Sequence, residues 1–255
     1  MSGITTALDD HVLQIRIERP EKRNALTMDM YDRMSAALEQ AEADPEVRAV
    51  VFRGAGGNFC SGNDVAALPA TDQGTPGPNP VMRFVEALVN ASVPIIAAVE
   101  GVAAGIGCTM LLHLDGVVAS RDSRIVFPFL NLALVPEAGS SLLLVRLLGY
   151  TRAADLVLRA ASIDGAEAHR LGIVSTLAEP GTVARTALDI AAEIAAKPPR
   201  AMRRAKRLMK GDTAELMQRI CEEEQGLFLG LRSAEGAEAL RAFMEKRRPD
   251  FSQCD

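Results

Sequence analysis

Three segments decide the fold class: Val12-Leu13-Gln14-Ile15-Arg16-Ile17, then Met28 to Ala43, then Val47-Arg48-Ala49-Val50-Val51-Phe52. In the first, apolar Val12, Leu13, Ile15 and Ile17 alternate with Gln14 and Arg16, the period of a strand, and Pro20 ends it. A charged turn, Glu21-Lys22-Arg23, leads to Thr27, a capping residue, after which Met30, Met34, Ala37, Leu38 and Ala41 recur on one helical face. The third segment is a short apolar run rich in valine, the pattern of a buried strand. Strand, helix, strand makes a βαβ unit and predicts a parallel sheet, so the chain reads as α/β. Upstream, Ile4 to Leu8 forms a hairpin with Val12 to Ile17 through Asp9 and Asp10.

Downstream the same grammar returns. A helix from Val81 to Asn90 leads through Val93-Pro94 into the strand Ile95 to Val99, and Gly101 to Gly107 opens an apolar helix, Cys108 to Leu114. Strands follow at Gly116 to Ala119 and Ile125 to Phe127, with no close sequence repeat between the two units. Leu68 to Pro80 holds four prolines and two glycines and reads as a mobile surface loop. From Gly139 helical periodicity dominates: Ser140–Leu148, Thr151–Ala160, Ala166–Leu171, Thr182–Ala196, Pro199–Lys210, Thr213–Leu231 and Ala234–Lys246. The last third is therefore expected to be all helix. Lys197-Pro198-Pro199 is a natural joint, dividing a core over 1–197 from a helical region over 198–255. The broad apolar faces of these helices exceed what a two-layer core absorbs, which points to burial against partner subunits.

The 255 residues are 48% hydrophobic and 24% charged, an ordinary globular composition that excludes disordered and fibrous classes. A net charge of −5, 4% aromatics and no Trp argue against nucleic acid as a partner. Cys60, Cys108, Cys221 and Cys254 lack the paired spacing of zinc sites and read as reduced thiols. No signal sequence or stretch of about 20 apolar residues is visible, so the expectation is a cytoplasmic protein away from membranes.

The common catalytic kits are missing. His11, His113 and His169 are isolated, and His113, in an apolar helix, reads as a satisfied core histidine. There is no HExxH, GxSxG or Walker loop. Gly54-Ala55-Gly56-Gly57-Asn58-Phe59 begins like a dinucleotide fingerprint but has Phe59 in the third-glycine place, and Gly105-Ile106-Gly107 fails the same test at Met110. What remains is two glycine-containing turns, Ser61-Gly62-Asn63-Asp64 and Gly105-Ile106-Gly107. Converging backbone N–H groups from two such turns can hold a developing oxyanion, helped by a helix dipole if Ile106 opens the helix. The plainer alternative is that these glycines only permit tight turns.

These residues, together with others, resemble a known family. Phe59-Cys60-Ser61-Gly62-Asn63-Asp64, Pro94-Ile95-Ile96-Ala97-Ala98-Val99-Glu100-Gly101 with Gly105, and Pro136-Glu137-Ala138-Gly139-Ser140-Ser141 look like the crotonase (enoyl-CoA hydratase/isomerase) superfamily. The opening Arg19-Pro20-Glu21-Lys22-Arg23-Asn24-Ala25-Leu26 and the closing Glu245-Lys246-Arg247-Arg248-Pro249-Asp250-Phe251 are similar to that family's ends. The resemblance implies a spiral of ββα turns followed by a helical trimerisation region, hence a homotrimer or a dimer of trimers. It also implies acyl-CoA ligands and an oxyanion hole made by the N–H groups of Asn63 and Ile106. Coenzyme A would enter as the thioester substrate, with no separate cofactor and no metal. Lys22, Arg23, Ala25, Ser61, Gly62, Asn63, Asp64, Val65, Gly105 and Lys246 are the ligand-binding candidates.

Hydratases of this family use two glutamates, and the matching positions here are Thr109 and Phe129. Phe127 to Glu137 instead looks like the Δ3,Δ2-enoyl-CoA isomerase branch, whose single catalytic glutamate matches Glu137; Ile106 in place of glycine also occurs there. Moving a double bond needs one base to take a proton from C2 and return it to C4, whereas adding water calls for more groups. Phe129, Leu132, Leu134 and Val135 are expected to wall Glu137 and raise its pKa by desolvation. The alternative is a surface glutamate favoured by a helix start. The run Arg203, Arg204, Lys206, Arg207, Lys210 reads as a solvated helix face. Two rivals stand beside the isomerase: a hydratase or other crotonase-type lyase, and a catalytically silent acyl-CoA-binding protein.

Overall fold

The computed structural model describes residues 3–64 and 79–254, so Val65 and most of the Leu68–Pro80 stretch lie outside the described residues. The deciding unit forms as read. Strands β1 (Ile4–Asp9) and β2 (Val12–Ile17) make an antiparallel hairpin, and helix α1 (Met28–Ala43) returns the chain to β3 (Ala49–Gly54), parallel to β2 from Val12↔Ala49 to Ile17↔Gly54. The Thr27 hydroxyl accepts the Met30 N–H at 3.4 Å and fixes the start of α1. Helix α2 (Pro80–Asn90) packs on α1, and β4 (Ile95–Val99), β6 (Gly116–Ser120) and β9 (Thr176–Ala178) continue the sheet in parallel, in the order β1-β2-β3-β4-β6-β9. A second sheet holds β5 (Val102–Ala104), β7 (Arg124–Val126) and β8 (Ser162–Asp164).

Both faces of the six-stranded sheet are covered, which explains why the third deciding segment is apolar throughout rather than alternating. Val50 and Phe52 face α1 and α2, in one core with Tyr31 and Phe84, while Ala49 and Val51 belong to a second layer under helix α7 (Val183–Ala195). There Val183, Ala187, Ala191 and Ala195 recur on one face, and the alanines let the helix lie close to the sheet. Helices α4 (Ser140–Leu148), α5 (Tyr150–Leu158), α6 (Gly165–Arg170), α8 (Pro199–Lys210), α9 (Ala214–Arg232) and α10 (Ala234–Glu245) complete the described chain. Among the described residues no helix is long and apolar enough to cross a membrane.

Three expectations are corrected. The apolar segment Cys108–Leu114 is not one helix: α3 (Ile106–Thr109) is a single turn that continues as a 3-10 turn over Met110–His113. Strand β5 takes up Val102–Ala104 and β6 begins at Gly116, so little chain is left for a helix. The last third is not all helix either. Its strand β9, at three half-buried residues, is too short to show a period of two, yet it extends the main sheet beside β6.

The third correction concerns the basic run, which is only partly solvated. Arg203, Lys206 and Lys210, at i, i+3 and i+7, share the inward side of α8 while Arg204 and Arg207 face out. The Lys206 ammonium is 2% exposed and donates to Asp115 Oδ2 at 2.6 Å and to the Val93 carbonyl at 2.7 Å. Arg203 meets Glu42 at 3.0 Å, and Lys210 donates to the carbonyls of Leu88 and Val89. These cations satisfy carbonyls at the end of α2 and the entry to β4 and lock α8 to the core. Leu208 and Met209, on the opposite side, are 84% and 79% exposed.

Candidate active site

The turn after β3 and the turn after β5 lie side by side. Cys60 bridges to Ala103: the Cys60 N–H donates to the Val102 carbonyl at 3.0 Å, and the Ala104 N–H to the Cys60 carbonyl at 2.9 Å. On its other side the first turn is knitted to the Arg19–Leu26 segment. The Ser61 N–H donates to the Arg23 carbonyl, the Ser61 hydroxyl to the Lys22 carbonyl, and the Leu26 N–H to the Gly62 carbonyl. Asn24, fully buried with φ +60, latches this segment by donating to the carbonyls of Ala55 and Asn58. Asp64 pairs with Arg19 at 2.8 Å. Ser61 to Asp64 thus form a turn braced on both sides.

In this ladder Asn63 is left out. Leu26 bonds to its neighbours Gly62 and Asp64, and among the described residues the Asn63 N–H has no acceptor. Neither has the Ile106 N–H, which opens α3 behind the N-cap Gly105. Because α3 is one turn long, its dipole aids an anion less than a full helix would. Gly105 has φ +53 and ψ −127, a conformation open essentially to glycine alone. A Cβ placed on it would lie 3.6 Å from Gly62 Cα and 3.8 Å from Glu137 Oε1. Gly62, Gly105 and the Glu137 carboxyl therefore meet at one point.

Glu137 sits in a turn held from two sides. Ala138 and Gly139 after it are both left-handed, at φ +57 and +73. The His113 ring reaches the Ala138 carbonyl, Nε2 at 2.7 Å, and burial lowers the His113 pKa to about 4, so the ring is neutral and Nε2–H is the donor. The satisfied core histidine is thus found, with a task at the site. Glu223 of α9 accepts the N–H of Gly139 at 2.6 Å and of Ser141 at 2.9 Å. No donor among the described residues reaches the Glu137 carboxyl itself. Burial first, and the neighbouring Glu223 charge second, raise its pKa to about 7. As a whole residue Glu137 keeps some solvent contact, so this carboxyl is surrounded by protein yet reachable. It is not a surface helix-start residue.

Of the expected wall, Phe129 and Leu134 are buried, Leu132 is half-buried and Val135 is 37% exposed. Tyr31, unforeseen in the sequence, is fully buried and donates its hydroxyl to Asn63 Oδ1 at 2.5 Å. Burial and then the Glu137 charge push its phenol pKa up. The same two causes raise the buried Cys108 thiol, and burial takes Cys60 to about 12, so neither thiol is an available nucleophile. Thr109 and Phe129 are buried, and the Thr109 hydroxyl has no partner among the described residues. Lys22 and Arg23 are exposed beside Ser61, and Ala25 is buried next to them. Lys246 stands apart at the left-handed end of α10, with no bond to either turn. No cluster of metal-ligating side chains occurs among the described residues.

Two amides that each follow one of a pair of neighbouring glycines, and a carboxyl beside those glycines, all without hydrogen-bond partners among the described residues, can polarise a carbonyl and move a proton at the adjacent carbon. The family model described as enoyl-CoA hydratase/isomerase matches residues 8–254. The chain is 31% identical over 259 residues to the 1,2-epoxyphenylacetyl-CoA isomerase of Escherichia coli, covering 99% of each chain. It is 30% identical to the 2,3-dehydroadipyl-CoA hydratase of the same organism, over 98% of this chain and 99% of the relative. A solved structure of an enoyl-CoA hydratase/isomerase from Pseudoalteromonas atlantica superimposes with a TM-score of 0.93 at 36% identity, covering 98% of this chain and all of that one.

Proposed function

The chain belongs to the enoyl-CoA hydratase/isomerase family, with the mixed α/β crotonase fold, and from that premise we propose that it shifts a double bond in an enoyl-CoA thioester between the 3 and 2 positions. The observation that carries this reading is Glu137, whose carboxyl has no donor among the described residues and lies where the two glycine turns meet. The other acid acting on it, Glu223, has its oxygens engaged by two amides. In this reading the thioester oxygen accepts the N–H groups of Asn63 and Ile106. Glu137 takes the proton from C2, the dienolate charge rests on the oxygen, and Glu137 returns the same proton to C4. The reaction is redox-neutral and consumes no water. A pKa of about 7 suits a group that must be base and acid in turn near neutral pH. Thr109 and Phe129, uncharged where hydratases of this family carry acids, support the single-base route.

Lys22, Arg23 and Lys246 are proposed to meet the phosphates of coenzyme A, with Ala25, Ser61, Gly62, Asp64, Val65 and Gly105 along the ligand. Affinity for a CoA thioester that loses its salt dependence in Lys22→Ala tests the nearest of these contacts. The outward apolar side chains Leu208, Met209, Leu229, Phe243 and Met244 support assembly through the C-terminal helices as a trimer or dimer of trimers; light scattering showing a monomer at micromolar concentration refutes it.

The deciding assay offers a 3-enoyl-CoA and its 2-enoyl isomer to wild type and Glu137→Gln. Isomerisation should outrun hydration, and the Gln variant should keep ligand binding while losing about 100- to 10,000-fold in turnover. Faster hydration identifies a hydratase. Binding without turnover on either thioester identifies a silent acyl-CoA binder. Both outcomes overturn the reading, as does a Gln variant as fast as wild type.

A further inference from the structure

Helix α9 carries an acid where its pattern calls for an apolar residue. Leu216, Ile220 and Glu223 recur at i, i+4 and i+7 on its buried side, and Glu223 is only 5% exposed. A carboxylate rarely occupies such a place without a strong reason. Its oxygens are engaged at 2.6 and 2.9 Å by the N–H groups of Gly139 and Ser141, which flank the first residue of α4 and follow directly on Glu137 and Ala138. These are the donors that a helix start leaves open, and no side chain of α4's own N-cap, Gly139, can serve them. The acid thus comes from a helix 84 residues further along the chain to close the turn that presents Glu137.

We propose that Glu223 is the positioning residue of this site: it clamps the Glu137 turn through the amides of Gly139 and Ser141 and brings a second carboxyl group to the turn that presents Glu137. The proposal rests on Glu137 being the base. Clamp and charge are separable in principle, because any acceptor can bind the amides while only an anion opposes ionisation of Glu137. A passive cap, such as a serine or asparagine at Gly139, would satisfy the helix start without acting on the base.

Among the described residues the groups that act on the pair come from several elements. From α1, Tyr31 presents a neutral phenol; from the first turn and α3 come the neutral thiols of Cys60 and Cys108; the neutral His113 ring is bonded to the Ala138 carbonyl. On α9, Arg219 is paired with Glu222 and reaches the Ser141 hydroxyl at 3.4 Å, which places one cation near Glu223. Lys210 acts on His113 from α8. Burial raises the Glu223 pKa as well, opposed by its bonds to Ser141 and Gly139 and by Arg219, and among these groups Glu223 is the acid whose charge acts on Glu137.

The test follows the Glu137 titration by carbon-13 NMR of labelled glutamate side chains, with Glu137→Gln to assign the resonance, beside the pH profile of kcat/KM on a 3-enoyl-CoA. In Glu223→Gln, nearly the same in shape, the Glu137 midpoint should move from about 7 toward the ordinary 4.5, by roughly half a pH unit or more, and the acid limb of kcat/KM should move with it. Reciprocally, Glu137→Gln should lower the Glu223 midpoint, a measurement that leaves Glu223 and its two amides in place. Glu223→Asp, with the charge kept and the reach shortened, should hold the midpoint while kcat falls. An unmoved Glu137 midpoint in folded Glu223→Gln, or an unmoved Glu223 midpoint in Glu137→Gln, overturns the proposal. Absence of turnover in wild type overturns the isomerase reading instead, and the NMR midpoints still decide on Glu223.

Discussion

Replacing Glu137 by Gln should stabilise the protein in alkaline solution, and the gain should vanish in acid. The Glu137 carboxyl has a pKa of about 7 when folded against 4.5 for the free group. Between these values the folded state binds a proton that the unfolded state has released, so stability falls as pH rises through the window and is fully present only below 4.5. The gap is roughly 2.5 pH units, and at 1.36 kcal/mol for each the ionised carboxylate costs about 3 kcal/mol above pH 7. Gln has no proton to lose and escapes this cost. Any penalty for burying its amide is the same at every pH and drops out of the comparison. For a chain of this size about 3 kcal/mol corresponds to roughly 6 to 12 °C in Tm. The assay is thermal or urea unfolding of both proteins at pH 5 and pH 8.5, with equal protein concentration throughout so that assembly does not enter. The Tm difference, variant minus wild type, should be larger at pH 8.5 by several degrees. An equal difference at both values, or a larger one at pH 5, would show that Glu137 ionises freely, and would remove the basis for its poise as acid and base.

Gly105→Ala should abolish most turnover in a protein that still folds, because the methyl would stand 3.8 Å from Glu137 Oε1 on a backbone conformation that alanine resists; kcat within tenfold of wild type would refute the shared site. Lys206→Met should destabilise by about 3 to 5 kcal/mol, since Asp115 loses its cation and the Val93 carbonyl its donor, and urea unfolding showing less than about 1 kcal/mol would mean that water replaces the ammonium.

How legible the molecule was in its sequence depends on how local each signal is. The βαβ unit over Val12–Phe52 was readable because strand alternation, a Thr27 cap and a helical apolar face agree over short distances. Glu137, Asn63 and Ile106 could be placed only through the family's ordered motifs, since no spacing in one chain says that turns 40 residues apart meet. Tyr31 and Glu223 were missed although each left a trace: a phenol between Met30 and Met34 on the buried side of α1, and an acid at the i+7 place of the Leu216–Ile220 stripe. The basic run on α8 was misread for a related reason. Charge runs usually face water, but Arg203, Lys206 and Lys210 are spaced for one side of a helix and Leu208 and Met209 for the other, so the spacing permitted an inward basic face all along.

The unfavourable features of the chain are concentrated where the chemistry is. Ala138 adopts a left-handed conformation that costs a residue with a Cβ about 1 to 2 kcal/mol, Gly105 requires glycine, the N–H groups of Asn63 and Ile106 lack acceptors among the described residues, and the fold loses stability when Glu137 ionises. Each would relax if the neighbouring contacts allowed it. They do not, because the His113 ring holds the Ala138 carbonyl, Glu223 holds the Gly139 and Ser141 amides, Tyr31 holds the Asn63 side chain, and Asn24 fixes the segment beside the first turn. All four are buried polar side chains brought from other elements, in the class that a stability-driven sequence would replace with apolar residues. Their presence around the two turns that meet at the site is explained if the fold gives up stability to keep the Glu137 carboxyl and the two amides in place before the substrate arrives. Substituting any of the four should therefore relax the site more than it unfolds the protein, with kcat falling further than Tm alone would suggest.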